Sequence, residues 1–121
     1  MIADRLWDRY AATWSLDGDA REDELSACVA ADVTYCDPNG LLQGREALSA
    51  YMAAFQASVP GGVFEIRSVL NHHDCSLAHW TLHGPDGRAL QTGASFGSHA
   101  DDGRLRAISG FFEPAGEDQP R

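Results

Sequence analysis

Basic residues are scarce in this chain. Nine Lys and Arg stand against eighteen Asp and Glu across 121 residues, a formal charge of −9. So negative a surface repels phosphate backbones and anionic headgroups, which excludes nucleic acid and membranes as expected partners. Cysteine is scarce too: Cys28, Cys36 and Cys75 are odd in number and lack CxxC spacing, as expected of reduced core or edge residues in a cytoplasmic protein. No apolar run approaches membrane-spanning length, and Asp4, Arg5 and Asp8 interrupt the first ten residues, where an export signal needs an apolar stretch. Repeats, low-complexity segments and internal linkers are missing. So are a glycine-rich phosphate loop, a Gly-x-Ser-x-Gly elbow and a zinc-protease motif.

What is present fits one folded domain. The chain is 44% hydrophobic with three tryptophans, enough to bury a core but too short for two. Ile2, Leu6, Tyr10 and Trp14 recur at helical spacing, with Trp7 and Ala11 beside them, so the spacing predicts a helix over Ile2–Trp14. Asp19 and Glu22 read as an N-cap and capping box for a second helix near Ala20–Ala30, with Leu25, Cys28 and Val29 turned inward. Leu48, Tyr51, Met52 and Phe55 give the clearest helix, Arg45 to about Ser58, ended by Pro60-Gly61-Gly62.

After Gly62 the period changes to that of strands. Val63–His73, Cys75–His83, Arg88–Ala100 and Leu105–Phe112 are separated by short turns, two of them Asp-Gly, which predicts an antiparallel meander. Gly93 and Gly97 suggest a bulge or bend in the third run. With one earlier strand at Val33–Cys36, the order is helix, helix, strand, helix and four strands. Such an order defines an α+β domain over residues 1–113: three N-terminal helices packed in a curled, mostly antiparallel sheet whose cone could hold a small apolar ligand. Residues 114–121 are a polar tail expected to fray.

The candidate site begins at Asp37, where Asp37-Pro38-Asn39-Gly40 stops the Val33–Cys36 strand. Two readings stand: Asp37 shapes the turn, or it is a functional carboxylate tuned by apolar surroundings. Tyr10 likewise reads either as a core phenol or as a donor aimed at a ligand. His72, His73, Asp74, Cys75 and His79 include ligand types, but His72 and His73 should face apart on a strand, so no metal site is expected. On the Cys75–His83 strand one face carries His79, Thr81 and His83, the other Ala78, Trp80 and Leu82, and either could line the cone. If Ser95 faces the cone, Phe96 faces outward, to cover a satellite cluster or a second copy of the chain.

Several segments in order carry a family resemblance: Arg9-Tyr10-Ala11-Ala12, Ala31 through Gly40, Gly44 with Ala47-Leu48 and Tyr51, and Asp102-Gly103-Arg104-Leu105. Together they resemble the NTF2-like superfamily, nearest its SnoaL-like and ketosteroid-isomerase-like branches, over about Leu6 to Phe112. The resemblance implies a conical hydrophobic pocket for a small carbonyl compound, a homodimer, no cofactor and proton-transfer chemistry of the isomerase, cyclase or dehydratase kind. It aligns Asp37 with a general base and Tyr10 with the phenol that stabilises an enolate oxygen; this isomerase is a standard worked case of such a pair. Trp14, Tyr35, Tyr51, Phe55, Ser95 and Phe112 become expected ligand contacts. Ser95 departs from the pattern, standing where the isomerase has a protonated aspartic acid. A non-catalytic binding module of the same fold is the alternative.

Overall fold

Ala3, Trp7, Tyr10 and Trp14 follow one another at three- and four-residue intervals with Ala11 beside them, and all five are buried. That stripe holds α1 (Ile2–Thr13) against the sheet. In the computed structural model, which describes residues 2–113, α1 is followed by α2 (Gly18–Cys28), β1 (Val29–Asp37) and β2 (Gly40–Gln43). Then come α3 (Arg45–Ser58), β3 (Val63–His72), β4 (Cys75–His83), β5 (Ala89–His99) and β6 (Leu105–Phe112). The tail expected to fray, 114–121, lies outside the described residues.

The six strands form one open sheet in the order β2-β1-β6-β5-β4-β3. Neighbours are antiparallel except β1 and β6, which run parallel. The first strand therefore sits beside the last, and the β3–β6 meander is extended by the β1–β2 hairpin. Three helices cover one face, giving the expected α+β cone. Its closed end is packed by Trp7, Leu25, Val29, Val33, Leu48, Met52, Leu105 and Ile108, each at most 2% exposed. Burial of this set is the main stabilising term of the fold.

Several local expectations are corrected. Asp19 does not cap α2: the helix begins at Gly18 after Asp17, and no side chain there bonds a free N–H. The opening strand starts at Val29, so the second helix is shorter at its end than its spacing suggests. The segment Asp37–Gly44 is a hairpin, with Pro38-Asn39 as its two-residue turn and β2 running back along β1. Gly44 then takes φ +96°, accessible to glycine, as the chain leaves β2 for α3. Gly93 and Gly97 do not mark bulges; the register shifts of β5 fall between Ala89 and Gln91, opposite Leu82 and His83 of β4, and at Ser98/His99. A β-carbon at Gly93 would lie 2.4 Å from the Trp80 ring, and one at Gly97 would lie 2.8 Å from the Trp7 ring. These glycines make room for indoles.

His72 and His73 also differ from expectation. His73 leaves the strand with φ +52°, which brings its ring to the same side as that of His72, Nδ1 to Nδ1 3.1 Å.

Candidate functional site

A cavity of about 410 Å³ opens between the C-terminal half of α3, the β1–β2 turn and the ends of β4–β6. Tyr10, Trp14, Tyr35, Asp37, Tyr51, Phe55, Ser95 and Phe112 all line it. The β4 ambiguity is resolved: Ala78, Trp80 and Leu82 face inward, with Trp80 and Leu82 on the cavity wall. Every tryptophan and tyrosine of the chain borders this one space. Its aromatic wall is continuous, running from Trp14 through Phe55, Phe64 and Trp80 to Phe112 with ring centroids 5.1–5.9 Å apart. Rings meeting mostly edge to face at these spacings hold one another in place, so the wall is preformed.

Against that wall stands one carboxylate. Asp37 closes β1, and its Oδ1 accepts the Asn39 backbone N–H at 2.8 Å, so it does shape the hairpin turn. Oδ1 also accepts the Tyr51 hydroxyl at 2.7 Å, and Oδ2 accepts the Tyr35 hydroxyl at 2.6 Å. Period-2 alternation along β1 puts Tyr35 on the face of Asp37. Tyr51 reaches the carboxylate from α3 because Gly40 lacks a side chain: a β-carbon there would stand 2.8 Å from the Tyr51 ring.

The sequence pointed to Tyr10 as the companion of Asp37, but the two are not hydrogen-bonded. Its companions are Tyr35 and Tyr51. Tyr10 instead has the only buried side-chain polar atom without a hydrogen-bond partner among the described residues, its hydroxyl. Leaving such a group unmet costs about 1–3 kcal/mol. All three phenols are held well above the usual tyrosine range. Burial is the largest cause for each, and the Asp37 carboxylate adds to it. All three stay neutral, and Tyr35 and Tyr51 act as donors to Asp37.

Ser95 faces inward as well. Its Oγ accepts the Trp80 indole N–H at 3.0 Å, and its own proton meets no acceptor among the described residues. Phe64 and Gln91 are lining residues that sequence reasoning did not single out. The alternation of Phe64 with Ile66 on β3 was the available signal. Cys36 points the other way, with its Sγ 3.4 Å from Ser109 Oγ, away from the carboxylate.

A structure from Agrobacterium tumefaciens, provisionally named an isomerase of the SnoaL-like family, superposes with a TM-score of 0.85 at 23% identity, over 91% of this chain and 96% of that one. One from Sinorhizobium meliloti, provisionally named a polyketide cyclase, gives 0.71 at 21% identity over 91% and 98%. An NTF2-like protein of unknown function from Exiguobacterium gives 0.71 at 14% over 95% and 100%. At such identities these likenesses show the fold. No curated protein matches the sequence. A model of the SnoaL-like domain, however, matches residues 7–108, and the chain belongs to that family.

Proposed function

We propose that the protein binds a small hydrophobic carbonyl compound in this cavity and moves a proton on it. The unmet hydroxyl of Tyr10, a residue whose side chain lines the same cavity as Asp37, is the observation that carries the reading. Asp37 takes a proton from the carbon next to the carbonyl, and the C–H electron pair becomes the enolate double bond. The charge then collects on the carbonyl oxygen, where Tyr10 donates a hydrogen bond. Oδ2 is the basic atom, since it accepts one hydrogen bond where Oδ1 accepts two. Returning the proton to another carbon gives isomerisation, attack of the enolate carbon on a second carbonyl of the ligand gives cyclisation, and expulsion of a β-hydroxyl, protonated by Asp37 and released as water, gives dehydration.

A second reading has its own support: three protein donors already occupy Asp37, as in a module that only binds. Proton exchange of 1-tetralone in heavy water separates the two. The wild type should speed deuterium uptake next to the ketone, Asp37→Asn should abolish the effect, and Tyr10→Phe should lower it about 100-fold. A wild type no faster than Asp37→Asn rejects the proton transfer and leaves the binding module.

The protein is further proposed to work as a homodimer. Leu41, Cys36, Ser109, Phe96, Leu77 and Leu70 are successive cross-strand partners in one row over the sheet's outer face. Leu41, Leu70 and Phe96 are 83%, 63% and 43% exposed, and a second copy would cover them. Three free thiols fit a reducing cytoplasm. Among the described residues no helix is long and apolar enough to cross a membrane.

A further inference from the structure

Gly110 on β6 is buried behind Ser95, Asp37 and Tyr35, three residues that line the cavity, and nothing in the backbone requires a glycine there. Its φ is not positive, and a β-carbon would meet no atom closer than 3.5 Å. In this it differs from Gly93 and Gly97, where a β-carbon would collide at 2.3 and 2.6 Å. A glycine inside a strand weakens it and packs nothing, so what Gly110 preserves is space. The three atoms nearest its absent β-carbon are Ser95 Oγ at 3.5 Å, Asp37 Cβ at 3.6 Å and Tyr35 Oη at 3.8 Å.

These neighbours have complementary vacancies. Ser95 Oγ accepts from Trp80, and its proton has no acceptor among the described residues. Asp37 Oδ2 accepts only from Tyr35, and the Tyr35 oxygen donates there and accepts nothing among the described residues. A group standing over Gly110 thus meets a free donor on one side and, on the other, the free lone pair of the Tyr35 oxygen, which leaves Asp37 Oδ2 to act as the base. A hydroxyl is the small group that both accepts and donates. A ketone oxygen would satisfy only Ser95.

We infer that the floor over Gly110, between Ser95 and the Asp37–Tyr35 pair, is a hydroxyl-binding subsite, and that the natural ligand carries a hydroxyl in addition to its carbonyl. This rests on the carbonyl reading above. Ser95 is then a specificity determinant, oriented as a donor by the Trp80 indole. Gly110 is the position whose missing side chain keeps the subsite open.

Binding of 1-tetralone and of its phenolic monohydroxy isomers, followed by quenching of tryptophan fluorescence, tests it. In the wild type at least one hydroxy isomer should bind about tenfold more tightly than the parent. That ratio should fall to about one in both Ser95→Ala and Gly110→Ala. Tyr10→Phe should weaken parent and isomer together and keep the ratio. Gly110→Ala should melt no lower than the wild type, since its methyl meets its neighbours only at ordinary van der Waals distances. A wild-type ratio near one, with 1-tetralone bound, overturns the subsite and leaves the carbonyl reading intact. A tenfold ratio that survives Ser95→Ala and Gly110→Ala also overturns it. If no tetralone binds, the carbonyl reading falls and the subsite with it.

Discussion

The Tyr51 hydroxyl donates to Oδ1 of Asp37 over 2.7 Å, tying the middle of α3 to the last residue of β1. The bond depends on Gly40, across the hairpin from Asp37, because any side chain there would occupy the place of the Tyr51 ring. Tyr51→Phe keeps the ring and loses the bond. A hydrogen bond to a charged group contributes about 1.5–3 kcal/mol. Tyr51 is only half-buried, so about 1 kcal/mol is expected, read as a fall of roughly 4 °C in Tm for a domain of this size. Gly40→Ala should cost at least as much, by displacing the ring. Unchanged melting in both variants would show that α3 and β1 are not coupled through this pair.

The three phenols make an alkaline prediction. Their folded-state values lie above the unfolded value of 10.0, so at high pH the folded state holds protons that the unfolded state has released. Their contribution to stability is intact below pH 10 and is lost as pH rises beyond it. Near-ultraviolet phenolate absorbance should stay flat through pH 10 and rise only together with loss of circular dichroism. A rise centred near pH 10 with the dichroism intact would mean that at least one tyrosine titrates freely.

The sequence carried the helical stripe of α1, the ends of α3 and the meander, because in these segments one hydrophobic period runs unbroken between clear stop signals. It carried less where tertiary partners decide. The β1–β2 hairpin hid behind Pro38 and Asn39, which mark a turn without revealing that Gly40–Gln43 pairs back on β1. Tyr10 and Asp37 were legible as a pair only through resemblance. The bonds from Tyr35 and Tyr51 to Asp37 were not, since Tyr51 approaches from a helix and no spacing rule links it to β1. Arg21 was passed over as a polar helix residue. It is 7% exposed, and its guanidinium bonds Ser49 Oγ at 2.8 Å and the Leu16 carbonyl at 2.9 Å, clasping the α1–α2 turn to α3.

The inner-face glycines should respond differently to one added methyl. At Gly93 an alanine β-carbon would meet the Phe111 carbonyl oxygen at 2.3 Å and the Trp80 ring at 2.4 Å, and backbone cannot step aside. At Gly97 the obstacles are the Leu105 methyl at 2.6 Å and the Trp7 ring at 2.8 Å, which can shift by rotamer. Overpacking costs about 1–3 kcal/mol. Urea denaturation should therefore rank Gly93→Ala as the more destabilised and Gly97→Ala as the milder loss. The reverse order would mean that the β5–β6 ladder yields more easily than the core at Trp7.

The outer face gives the last test. Within the row from Leu41 to Leu70, Phe96 lies on β5, near the middle of the sheet, between Leu77 and Ser109. It is 43% exposed, so it is not enclosed within a satellite cluster of its own chain. A dimer formed on this row buries Phe96 near its centre, where losing one aromatic anchor costs about 2 kcal/mol or more. A charge at that position costs further, because two copies meet across a two-fold axis and each brings a carboxylate into an apolar contact. Phe96→Asp should shift the protein to the monomer mass by sedimentation equilibrium at a concentration where the wild type is dimeric. Its ligand affinity should persist, since Phe96 faces away from the cavity. A wild type that sediments as a monomer removes the dimer outright, and a Phe96→Asp variant that stays dimeric moves the interface off this face.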